Sequence, residues 1–86
     1  MDPKHILGWN LRKHRVASGL SQERLALESG IDPAYVGRVE RGRENVTLNT
    51  LEVLAGTLGV SIADLFRVPL PSEEAPKPLR AGRKKK

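Results

Sequence analysis

Only three residues, Gly30-Ile31-Asp32, separate two short segments with helical punctuation, and this connection constrains the chain more than any other feature. Ser21 is suited to cap a helix over 22–29, with Leu25 and Ala26 facing inward and Gly30 at its end. Asp32 followed by Pro33 is an acidic cap with proline at the first helical position, opening a helix over 33–41 that Gly42 stops. A three-residue turn containing glycine forces such helices to cross at a steep angle. The residues around it fit that crossing: Ala26 is small where the helices approach, Gly30 tolerates a positive φ, and Val36 fills the angle from the other side.

The same punctuation divides the rest of the first 68 residues. Asp2-Pro3 opens a helix in which Leu7, Leu11, His14 and Ser18 recur at helical spacing until Gly19. Trp9, four residues after His5, is placed to stack on it or to pack locally. Thr47 caps a fourth helix with Leu48, Leu51, Leu54, Ala55 and Leu58 on one face, closed by Gly59. Ser61 and Asp64 have the spacing of a capping box for a fifth, carrying Ile62, Leu65 and Phe66. No segment alternates with period two, so the expected fold class is all-α, five short helices in one domain over 1–68. From Pro69 onward, four prolines and a terminal Arg83-Lys84-Lys85-Lys86 give the composition of a disordered basic tail over 69–86.

Charge sharpens the functional reading. The whole chain carries +5, which favours a polyanionic partner. Residues 1–68, however, hold nine Lys/Arg against eight Asp/Glu, so most of the excess lies in the tail. The argument therefore rests on where the folded cations cluster: Arg38, Arg41 and Arg43 all fall within or just after the helix at 33–41. Two helices joined at a steep angle let the second lie in a DNA major groove while the first crosses the backbone. Without cysteine there is neither a disulfide nor a thiolate metal site. His5 and His14, about 180° apart on a helix, do not share a metal ion. No nucleophile–base pair, paired carboxylates or phosphate loop suggests an enzyme, and no cofactor or metal is expected. No apolar run has the length of a membrane span and no signal peptide is visible, so the expectation is a soluble, cytoplasmic protein.

At Leu20-Ser21-Gln22-Glu23-Arg24-Leu25-Ala26, Ser29-Gly30-Ile31 and Tyr35-Val36-Gly37-Arg38-Val39-Glu40-Arg41-Gly42, the chain resembles the Cro/phage-repressor-type (XRE family) helix-turn-helix regulators. The likeness continues through Thr47-Leu48, Leu58-Gly59-Val60 and Leu65-Phe66, and spans about residues 6 to 66. It implies a five-helix DNA-binding domain acting as a homodimer on a palindromic operator, with the helix-turn-helix at 22–41 and the recognition helix at 33–41. Carried over by position, Gln22 would bond a phosphate and brace the recognition helix. Pro33, Ala34, Gly37 and Arg38 would face base edges, and Tyr35 would lie near the backbone. Arg41, Arg43, Asn45 and Thr47 would contact phosphates from the following loop. Arg15 and Glu40 would form an internal ion pair.

Pro33 and Ala34 stand where many relatives carry longer polar side chains. Neither donates a side-chain hydrogen bond, which leaves Arg38 as the base-contact candidate, with a phosphate contact as its competing role. Arg12 and Lys13 read as a solvated face, with a phosphate contact as the lesser alternative. Val60, Ile62, Leu65, Phe66 and Val68 form the candidate dimer surface, with a place in the core as their alternative. The competing function is a protein-interaction module, an antitoxin or adaptor whose unidentified protein partner covers the last two helices. A stand-alone regulator such as a restriction–modification controller suits the chain's size.

Overall fold

The computed structural model describes residues 1–73, and the expected disorder of the tail beyond them lies outside the described residues. Four α-helices and one 3₁₀ turn follow in order: α1 (Pro3–Ala17), α2 (Gln22–Ser29), α3 (Pro33–Glu40), α4 (Leu48–Leu58) and the 3₁₀ turn (Ala63–Phe66). Each α-helix starts where a side chain satisfies an otherwise orphaned N–H. Asp2 accepts from His5 N at 2.9 Å, Ser21 from Arg24 N at 2.9 Å, Asp32 from Ala34 N at 3.2 Å and Thr47 from Thr50 N at 3.1 Å.

The expected fifth helix is the 3₁₀ turn. Its four residues are closed by i to i+3 bonds, Asp64 N to Ser61 O at 3.1 Å and Leu65 N to Ile62 O at 2.9 Å. A segment this short has no room to repeat the α-helical bond, and the tighter turn is the usual outcome. The Ser61–Asp64 capping box is present, each residue's backbone N–H donating to the other's side chain. The helix at 33–41 is one residue shorter than expected: Arg41 is its C-cap.

Between α2 and α3 the chain turns as its sequence requires. Gly30 has φ +70°, and the Ile31 N–H reaches back to the Ala26 carbonyl at 2.9 Å, which satisfies the end of α2 within one residue. Asp32 then opens α3 at once. Ala26 and Val36 are both fully buried at this crossing.

The core is one cluster: Leu7 and Leu11 of α1, Leu25 and Ala26 of α2, Val36 and Val39 of α3, Leu51, Leu54 and Ala55 of α4, and Leu65 of the 3₁₀ turn. Helix α1 packs on α3 and the 3₁₀ turn, while α2 packs on α3 and α4. Gly8 lets α1 approach the end of α3 closely. A Cβ there would lie 2.6 Å from the Val39 carbonyl oxygen and 2.7 Å from that of Glu40.

Buried Asn10 ties the far side together, donating from Nδ2 to the carbonyls of Ile6 at 2.9 Å and Arg67 at 2.8 Å. The chain stays on α1 beyond the expected boundary at residue 68. A turn closes from Leu70 N to Glu73, whose carboxylate faces Lys13 and Arg67 at 3.5 Å each. Lys13 Nζ lies 5.4 Å from the Trp9 ring centroid, and the His5 ring sits against Gly42.

Candidate nucleic-acid interface

Helix α3 offers a narrow, stepped surface. Pro33 and Ala34 are exposed in its first turn, Tyr35 is half-buried, and Arg38 is partly exposed one turn on. Gly37 is among the residues expected to face base edges. It is buried, because the ends of two longer side chains fold over it: a Cβ there would meet Arg41 Nη1 at 3.2 Å and Gln22 Oε1 at 3.6 Å.

Beneath this cover lies a buried charge network. Glu40 accepts from Arg15 Nε at 2.6 Å, Arg15 Nη2 at 3.1 Å and Gln22 Nε2 at 3.1 Å, and Arg15 Nη1 donates to the Leu20 carbonyl at 2.8 Å. The two charged side chains are only 6% and 4% exposed. One carboxylate at the end of α3 is thus fastened to α1 through Arg15 and to the start of α2 through Gln22. Such a bidentate, fully bonded pair fixes the angle of α3 against both neighbours.

Above the network opens a depression of about 660 Å³, lined by Arg12, Arg15, Ser21, Gln22, Glu23, Pro33, Ala34, Glu40 and Arg41. It joins the N-terminal turns of α2 and α3, the positive ends of two helix dipoles. Arg12 lines this depression from α1. The signal was in the spacing, since Arg12 is three residues before Arg15 and shares its face of α1.

The loop 41–47 folds back alongside α3. Gly42, at φ +73°, reverses the chain, and the Arg43 N–H donates to the Arg38 carbonyl at 2.9 Å. This return brings in a residue absent from the sequence-based site: Glu44 accepts from Arg38 Nε at 2.6 Å. The bond raises the Arg38 guanidinium above its ordinary range. The same guanidinium lies 5.7 Å from the Tyr35 ring centroid. Burial, then the Glu44 charge, raises the Tyr35 hydroxyl, against opposing effects of Thr50 and Arg38. Arg41, Arg43, Asn45 and Thr47 are exposed, and Thr47 also serves as the α4 cap.

The candidate dimer surface divides. Ile62 is 36% exposed, Phe66 38% and Val68 63%, and these form an apolar face beside the half-buried Val60. Leu65 does not belong to it. It is fully buried between the 3₁₀ turn and α1, because that one-turn element anchors to the domain through a single inward side chain. Among the described residues no group of His, Asp and Glu is placed to hold a metal ion, and no helix is long and apolar enough to cross a membrane.

Residues 11–65 match the helix-turn-helix family HTH_3. The chain is 49% identical over 66 residues to the control protein C.SmaI of Serratia marcescens, covering 77% of this chain and 79% of that protein. Its fold superposes on the restriction-modification controller protein C.AhdI from Aeromonas hydrophila with a TM-score of 0.71 and 48% identity, covering 73% of this chain and 96% of that one. It also superposes on the controller C.Esp1396I, solved as a tetramer with its natural 35 base-pair operator, with a TM-score of 0.69, 30% identity and coverage of 77% and 87%.

Proposed function

The chain belongs to the helix-turn-helix family HTH_3, the XRE-type DNA-binding transcription regulators, and we propose that it binds a palindromic operator as a homodimer, with α3 of each copy in the major groove. One observation carries this reading: the exposed first turn of α3 shares a depression with Arg12 of α1 and Arg41 at the end of α3, and the exposed Arg43 follows in the loop beside Arg38. Their placement suits phosphates on either side of a groove, and such contacts supply affinity and register without reading sequence.

Sequence is then read by few groups. Ala34 is suited to a thymine methyl and Arg38 to a guanine, while Pro33 fills space. Gln22 acts from beneath, its amide holding Glu40 and its position at the start of α2 placing it beside a phosphate. Tyr35, Asn45 and Thr47 complete the backbone contacts. With so few base-reading side chains, DNA shape and half-site spacing carry much of the selectivity. Ile62, Phe66 and Val68, with Val60 at the edge, pair two copies so that their α3 helices stand about 34 Å apart, one turn of DNA. The solved relative that holds an operator as a tetramer supports assembly on DNA.

Selection of bound duplexes from a random pool tests the reading. It predicts two inverted half-sites centred about 10 base pairs apart. A pool that stays random after repeated rounds, or a single unrepeated motif bound by a monomer, would refute it.

A further inference from the structure

Among the described residues Arg12, Arg41 and Arg43 form no ion pair, whereas Arg38 is held on three sides. Its Nε donates to Glu44 at 2.6 Å, its guanidinium rests by the Tyr35 ring, and its carbonyl accepts from Arg43 N in the loop that carries Glu44. Glu44 is itself half-buried, with 24% of its side chain exposed against 42% for Arg38. The pair is therefore built into the fold rather than formed by two mobile surface chains.

We propose that Glu44 is a positioning residue that reserves Arg38 for a guanine edge and withholds it from phosphates. The inference rests on the DNA-binding reading above. With Nε bonded to Glu44, the N–H groups of Nη1 and Nη2 remain, and these form an end-on fork for guanine O6 and N7. A guanine contact leaves the Glu44 bond in place. A phosphate on the same fork gains less, because its full negative charge would sit against a carboxylate that already neutralises the arginine. Glu44 thus suppresses binding to arbitrary DNA while leaving base reading intact, which raises the ratio of the two.

The test uses the full chain, the duplex selected above, versions of it changed at each base pair, and a scrambled duplex, all titrated across a salt series. Arg38→Ala should erase preference at one base pair per half-site, a contact of this kind giving roughly 5- to 150-fold discrimination. Glu44→Ala should lower discrimination at that same pair at least about fivefold. It should also tighten binding to the scrambled duplex and steepen its log–log salt dependence by about 0.9, one added phosphate contact. Glu44→Gln retains an acceptor for Nε, so it should keep more of the base preference while still tightening scrambled binding. In the free protein, the Arg38 Nε–H resonance should be protected from exchange and lose that protection in Glu44→Ala.

Unchanged discrimination in Glu44→Ala, where Arg38→Ala abolishes it, would overturn the proposal. So would an equal loss at every base pair accompanied by a lowered melting temperature, the mark of a merely structural role. If the wild-type chain itself fails to distinguish the selected duplex from the scrambled one, the DNA reading fails and this inference goes with it.

Discussion

Gly8→Ala sets two physical effects of opposite sign against each other. Gly8 lies inside α1, where alanine is favoured over glycine by about 1 kcal/mol through backbone entropy, so local propensity alone predicts a more stable protein. Packing predicts the reverse. The added methyl would stand 2.6 Å from the Val39 oxygen, 2.7 Å from the Glu40 oxygen and 2.9 Å from the Glu40 carbonyl carbon. Ordinary contact begins at 3.4 Å, so α1 and the end of α3 must separate by about 0.8 Å, a gap of the size that forfeits a quarter to a half of the dispersion attraction. The obstructing atoms are backbone in a capped helix end, with no side chain free to swing aside. Overpacking of this kind costs about 1–3 kcal/mol. The rigid obstruction places Gly8→Ala at the upper end, and subtracting the propensity gain leaves a net loss of about 1–2 kcal/mol. For a domain of this size that lowers the melting temperature by about 5–15 °C. Thermal and urea unfolding followed by circular dichroism measure it directly. A melting temperature equal to or above the wild type would refute the reasoning, showing that α1 and α3 do not approach as closely as described.

Two further perturbations probe the interactions that hold α3. Glu40→Ala leaves the buried Arg15 guanidinium without its carboxylate and should cost about 3–5 kcal/mol in urea unfolding, whereas Arg15→Met with Glu40→Leu should recover most of that loss. Equal instability of the single and double variants would contradict this. The Asp64 carboxyl is held below its ordinary range, first by the Ser61 backbone N–H and then by the Ser61 side chain. A depressed carboxyl stabilises the fold above its unfolded-state value and loses that contribution as pH falls through its lower folded value. The wild type should therefore lose stability below about pH 4, and Asp64→Asn should show a smaller fall over the same range. Matching acid profiles for the two proteins would show that the capping box contributes nothing.

The parts of the fold legible in the sequence are those fixed by neighbours in the chain. Asp2, Ser21, Asp32 and Thr47 announce helix starts because a cap acts within three residues, and Gly30 marks the turn because its positive φ is a local demand. The expected fifth helix is a 3₁₀ turn for a related reason. The Ser61–Asp64 box signals a start, but four residues give no means of telling an α-turn from a 3₁₀ turn. What remained hidden depends on distant packing. Nothing near Gly8 in the chain signals that the end of α3 packs against it. Asn10 gave no sign that it would reach the Arg67 carbonyl, 57 residues away. Glu44 carries no local signal of its role because its partner comes to it only through the reversal at Gly42. Leu65 shows the same limit from the other side: its apolar neighbours at 62 and 66 are exposed, and only the packing of the 3₁₀ turn on α1 separates it from them.

The most direct measurement is an amide chemical-shift map of the full chain, free and with the selected duplex at moderate salt. The account predicts that the largest changes fall on Gln22, on 33–38 and on 41–47, with Arg12 joining them from α1, while 60–68 responds only through pairing of the two copies. Changes concentrated on 60–68, with the α3 surface unmoved, would contradict the central claim that α3 is the element that meets DNA.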